Sequence, residues 1–223
     1  MNFKVLSSFF GLASFCAVST AGGLAELDIF LKSTDAGVLT YSQTIFRKKF
    51  DGAPRSGASK ARVEFARPYS FRIEYEPPNE YVLVGNGKTV TVHDPKLMTT
   101  ETYEQTAMIG ESLVPLIEAR AISAMSGAYD FRESSGNGFE WAVVTPKPGK
   151  ESTFGRMSFG FQRNELTRLE VIHSDGDRMV YAISWESLEP PDPSRFNYSP
   201  PAGSDYEDKS GQSKPASTSD VIR

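Results

Sequence analysis

The apolar positions of the chain change period early. Leu24, Leu27, Phe30 and Leu31 recur at helical spacing, with Glu26, Asp28 and Lys32 between them. That pattern predicts one short amphipathic helix, with Gly37 as its end. From there the period is two. Residues 38–50 predict a strand. Ala61, Val63 and Phe65 alternate with Arg62 and Glu64, and Phe71, Ile73 and Tyr75 alternate with Arg72, Glu74 and Glu76. Each segment predicts a strand with a single apolar face. Pro77 and Pro78 break the run. Segments 81–84 and 89–92 flank Gly85-Asn86-Gly87. Asn-Gly supplies the positive φ that a tight hairpin needs.

A further strand is read over 98–103, beyond Pro95. The period then reverts to helical over 108–124. Leu113, Leu116, Ile117 and Ile122 lie there among Glu111, Glu118 and Arg120, with Pro115 tolerable only in a first turn. Strands resume at 129–133 and 139–145, around a Gly136-Asn137-Gly138 turn. They continue at Met157, Phe159 and Phe161, at Leu169 and Val171, and over 180–185.

About ten short strands joined by hairpins predict one antiparallel sheet that curls. A sheet with one apolar face must be covered by a second layer, and two short helices are little cover for so many strands. Aromatic residues make up 12% of the chain, which favours a large apolar surface. Pattern alone leaves two readings level: a small barrel closed on its own core, or an under-covered concave face that takes a ligand.

The ends bound the domain. Lys4, the apolar run 5–18 and the small residues Ser19, Thr20 and Ala21 predict a secretory signal peptide over 1–21. The run is too short to span a bilayer. Cys16 is the single cysteine and follows Phe15 rather than a small residue, so it is read as part of that peptide. The mature chain then has no thiol chemistry. One domain is expected over 22–203, long enough to bury its own core. The Ser-, Lys-, Asp- and Gly-rich stretch 204–223 is expected to be disordered.

The formal charge of −4 is spread without a basic stripe, which disfavours nucleic acid as a partner. Catalytic chemistry is thin. His93 and His173 are the two histidines, and they lie on separate hairpins. A hydrolase built on His173 and Asp175 is the competing reading, but Asp175-Gly176 is explained by the turn itself and no nucleophile motif accompanies it. No metal-ligand spacing occurs, and no cofactor or enzymatic activity is expected.

The segment Phe65-Ala66-Arg67-Pro68-Tyr69-Ser70-Phe71-Arg72-Ile73-Glu74-Tyr75-Glu76-Pro77-Pro78 resembles the "RP…F…Y…P" segment of the LolA family. Gly87-Lys88 and Asp94-Pro95 follow in the family's order. Tyr41-Ser42-Gln43 resembles its aromatic-x-Gln strand, and Val144-Thr145-Pro146-Lys147 its "LTPK". Phe196-Asn197-Tyr198-Ser199-Pro200-Pro201-Ala202-Gly203 resembles its closing "F.F.PP.G". The likeness runs from Leu24 to Asp208.

The resemblance implies an α+β fold, an unclosed antiparallel β-barrel with a short helical lid over an apolar cavity. It implies a monomeric periplasmic shuttle. Acylated lipoproteins would be taken from an inner-membrane ABC transporter (LolCDE-like) and passed to an outer-membrane receptor (LolB-like). Arg67 matches the arginine that bonds lid carbonyls and holds an empty cavity shut, a task suited to its fork of donors. Phe71, Ile73 and Tyr75 match cavity-lining positions. Phe65, Val84, Val92, Trp141, Phe159 and Phe161 complete the expected lipid-binding cavity, and Leu113, Leu116 and Ile117 the lid. The chain departs from the family at Gly85-Asn86-Gly87, at Thr91 and His93, at Met98-Thr99-Thr100 and in the tail after Asp208. These departures bear on cargo. A carrier or sensor of another lipid or glycolipid is the alternative.

Overall fold

A computed structural model describes residues 22–47, 59–105, 120–150, 152 and 154–211. The first helix, α1 (Gly23–Ser33), buries Leu27 and Leu31 completely. Glu26 in its first turn and Lys32 in its last suit the helix dipole. The helix stops at Ser33, where Thr34 turns extended (φ −100°, ψ 91°). Gly37 therefore does not end it. Gly37 lies in β1 (Ala36–Phe46), where a Cβ would stand 2.9 Å from the Trp185 ring and 3.3 Å from the Phe65 ring. The glycine makes room for two aromatic rings.

Five strands follow β1: β2 (Ser59–Ala66), β3 (Ser70–Tyr75), β4 (Val82–Asn86), β5 (Thr89–Asp94) and β6 (Thr99–Glu104). A single helical turn, α2 (Ile122–Met125), precedes β7 (Tyr129–Gly136), β8 (Phe139–Pro146), β9 (Phe154–Gln162), β10 (Glu165–His173) and β11 (Arg178–Ser187). A 3-10 turn (Pro193–Phe196) and β12 (Asp205–Asp208) close the described chain. Of the helix expected over 108–124, only its end at α2 is described. Leu113, Leu116 and Ile117 lie outside the described residues, as does the segment read as a signal peptide.

All twelve strands form one sheet in the order β12-β6-β5-β4-β3-β2-β1-β11-β10-β9-β8-β7. The β1–β6 meander and the β7–β11 meander join through β1 and β11, paired from Val38↔Ser187 to Phe46↔Arg178. The two end strands, β12 and β7, are not paired with each other, so the barrel is unclosed. Every pairing is antiparallel except β12 with β6, which is parallel.

β12 is the strand that the pattern did not reveal. The chain was expected to leave the fold after Gly203. Instead Asp205–Asp208 adds an edge strand whose four residues are all exposed. Backbone hydrogen bonding needs no apolar side chain, so alternation gives no sign of it. Lys209 holds the strand down through ion pairs to Glu101 and, at 3.1 Å, to Glu207.

Candidate functional site

Register sorts the sheet into two faces, because directly paired residues point the same way. On the inner face Phe65 pairs with Gly37 and Phe71, and Phe71 with Gly85. Ile73 pairs with Val63 and Leu83, and Leu83 with Val92. Across β1 and β11 the same face continues through Leu169 to Phe159, which pairs with Ala142. Phe161 pairs with Leu166. Phe65, Phe71, Ile73, Val92, Phe159 and Phe161 are each no more than 4% exposed. Tyr75 is half-buried on this face beside Ala61. Seven of the expected cavity residues thus share one curled surface, and it is buried. Leu27 and Leu31 of α1 join the same core.

Two expected cavity residues lie on the other face. Val84 pairs with Arg72 and Thr91 and so points outwards. It is buried there because the C-terminal segment covers it, in a cleft of about 400 Å³ shared with Phe196 and Tyr198. Trp141 pairs with Ser134 and Gly160 and also points outwards. Its ring packs over Gly160, where a Cβ would stand 2.9 Å away, and lies 5.1 Å from Phe139. The cause is common to both. Val82-Leu83-Val84 and Trp141-Ala142-Val143-Val144 are apolar on consecutive positions, so alternation does not say which member faces in. Inner-face residues that the expectation omitted include Leu39, Tyr41, Leu83 and Trp185. The period-two pattern of β1 and β11 could have supplied three of them.

Arg67 follows β2 directly. Its Nη1 donates to the Leu31 carbonyl at 2.6 Å, and its backbone N–H donates to the Asp35 carbonyl at 2.8 Å. The guanidinium carbon lies 5.8 Å from the centre of the Phe30 ring. Leu31 sits in the last turn of α1, where carbonyls lack helical donors and the dipole favours a cation. Arg67 therefore fastens the end of α1 to the sheet. Burial, helped by nearby Arg120 and opposed by Asp35, lowers its pKa to about 10, so it remains charged at neutral pH. The expectation assigned Arg67 to carbonyls of the lid; the described carbonyl belongs to α1.

The histidines do not converge. His93 is buried on the outer face, with Nδ1 2.9 Å from the Thr100 hydroxyl. Beside His173, the Asp175 carboxylate accepts from the backbone N–H of Asp177 at 2.9 Å, as a turn residue does. Among the described residues no group of three His, Cys, Asp or Glu side chains could hold a metal ion. No described helix is long and apolar enough to cross a membrane.

The chain is similar to known proteins of one family. The family model described as "Outer membrane lipoprotein carrier protein LolA" matches residues 37–199. A protein of Albidiferax ferrireducens named outer-membrane lipoprotein carrier protein is 31% identical, over 87% of this chain and 94% of its own length. One of the same name from Chromobacterium violaceum is 30% identical, over 91% and 96%. Among solved structures, a LolA superfamily protein from Nitrosomonas europaea covers 80% of this chain with a TM-score of 0.48 and 12% identity. With 163 consecutive positions (37 to 199) matched by the family model, the chain belongs to the LolA family of outer membrane lipoprotein carrier proteins.

Proposed function

We propose that this protein is a periplasmic chaperone, not an enzyme. It carries acylated lipoproteins from a LolCDE-like inner-membrane transporter to a LolB-like outer-membrane receptor. The signal peptide over 1–21 is removed on export. The observation that carries the reading is the curled, aromatic, buried inner face, covered over β7–β9 by a helix that Arg67 fastens.

The energetics suit a shuttle. Each buried methylene is worth about 0.8 kcal/mol. Full burial of several chains would total tens of kcal/mol, beyond the practical ceiling of non-covalent affinity near −20 kcal/mol. A carrier at that limit would never release. An unclosed barrel buries chains in part. Its walls must also be covered when empty, because exposed apolar surface invites self-association. Arg67 acts as the latch of that closed state, with Leu113, Leu116 and Ile117 as the lid. Cargo displaces the cover and is handed on when the cover returns.

Two experiments test this. Tagged mature protein recovered from periplasm and analysed by mass spectrometry should hold di- or triacylated lipoprotein. Free lipid or glycolipid without acylated protein would keep the cavity and replace the cargo. Arg67→Leu removes the latch and shifts the population towards open. Capture should persist while transfer to the receptor slows at least tenfold. Transfer at the wild-type rate would refute the latch.

A further inference from the structure

The inner face is not uniform along its strands. At the α1 end, Trp185 sits 5.9 Å from Phe30 and 6.1 Å from Phe65. Trp185 itself pairs with Leu39, and their row continues through the aliphatic Val63, Ile73 and Leu83. Beyond it the chemistry changes. Tyr41 pairs with Ala61, which pairs with Tyr75, and Gln43 pairs with Tyr181. The Tyr41 ring lies edge-on to Tyr75 and Tyr181, at 6.4 and 5.3 Å. Gln43 Nε2 donates to the Tyr181 hydroxyl at 3.1 Å. From Leu39 to Gln43 the strand advances roughly 13 Å, so the apolar and polar ends are well separated.

Three phenols and an amide are costly filling for a core. Phenylalanine and leucine would occupy the space with no polar group to satisfy. We propose that Tyr41, Tyr75, Tyr181 and Gln43 form a polar pole of the acyl cavity, donating hydrogen bonds to the ester and amide carbonyls where acyl chains join the lipidated cysteine. The chains then lie with their methyl ends towards Trp185 and α1. The polypeptide of the cargo leaves at the end where β1 stops and β2 begins. This inference rests on the carrier reading.

The chemistry is matched. A carbonyl drawn into an apolar cavity needs a donor, and a phenol has one hydroxyl hydrogen free to rotate. Burial pushes the pKa of all three tyrosines up, so each remains a protonated donor at neutral pH. The Tyr181 hydroxyl accepts from Gln43 and donates to Met179 Sδ at 3.4 Å, and Tyr41 and Tyr75 share a side-chain hydrogen bond. A cargo carbonyl takes the Tyr181 hydroxyl hydrogen from the weak sulfur acceptor.

The test uses two probes on full-length mature protein: a tripalmitoylated cysteinyl peptide, which carries esters and an amide, and diphenylhexatriene, which carries no hydrogen-bonding group. The double variant Tyr41→Phe/Tyr181→Phe should bind the lipopeptide about tenfold more weakly, the effect of one or two lost hydrogen bonds, with dye binding unchanged. Unchanged lipopeptide affinity overturns the pole, and so does equal loss of both probes, which would reduce the tyrosines to packing. Orientation is read in a Trp141→Phe background, where Trp185 is the single tryptophan. A nitroxide near the methyl end of an acyl chain should quench Trp185 more than one near the carbonyl; equal or reversed quenching overturns the orientation. Wild-type protein that takes the dye but refuses the lipopeptide overturns the carrier reading and the pole with it. Failure confined to the variants overturns the pole alone.

Discussion

Gly85 and Phe71 are two residues cut to one space. They pair across β3 and β4 on the inner face, and a Cβ on Gly85 would lie 2.2 Å from the Phe71 ring. Phe71 is 2% exposed, so its ring has little room to withdraw. Gly85→Ala should therefore cost about 1–3 kcal/mol, the range for overpacking a filled core, as measured by urea unfolding. Gly85→Ala with Phe71→Leu should recover most of that loss, since the shorter side chain vacates the contact. The inward position of Phe71 was legible from alternation with Arg72. The reason for Gly85 was not: it reads as part of a Gly-Asn-Gly turn, whereas the turn uses Gly87, at φ 92°.

At the scale of elements, the outer face carries a charged lattice that ties the C-terminal segment to the sheet. Arg195 of the 3-10 turn donates to Glu64 at 2.8 Å and to Glu74 at 3.1 Å, and Arg62 also pairs with Glu64. Burial on its own would raise the pKa of Glu64, but the bonds from Arg195 and Arg62 outweigh it and hold the carboxyl below its usual value of 4.5. A carboxylate with a lowered folded pKa adds stability that is complete above its unfolded pKa. That stability is lost as pH falls through the folded value. The melting temperature should therefore drop between about pH 5 and pH 3. Glu64→Gln should flatten that drop, and an undiminished drop in the variant would assign it to other groups. Alternation placed Glu64 on the polar side of β2. It could not show that a strap 131 residues later would bury that side.

For the whole molecule, the question is what an unclosed sheet does with its edges. β12 covers the free edge of β6, and charged side chains line it. An uncovered edge strand is a template for pairing between chains. Truncation after Gly203 removes β12 and the Lys209 ion pairs. It should lower the melting temperature by a few degrees and produce concentration-dependent dimers by light scattering. A monomer of unchanged stability would make β12 an ornament of the fold.

The sequence by itself determined where the chain forms strands other than β12, which side chains alternate, and that α1 has one apolar stripe. These follow from period and turn chemistry within a few neighbouring residues. It also determined the family, through the order of short motifs spread over the chain. Tertiary structure decided the rest. Pairing between β1 and β11 set which face is inner across both meanders. The C-terminal segment turned Val84 into a buried outer residue. Parallel pairing made a strand of four polar residues. The last turn of α1 brought a carbonyl to Arg67. Each of these is a contact between residues far apart along the chain, made through backbone groups or through space that a neighbour leaves empty. A local pattern of apolar and polar positions carries no record of such contacts.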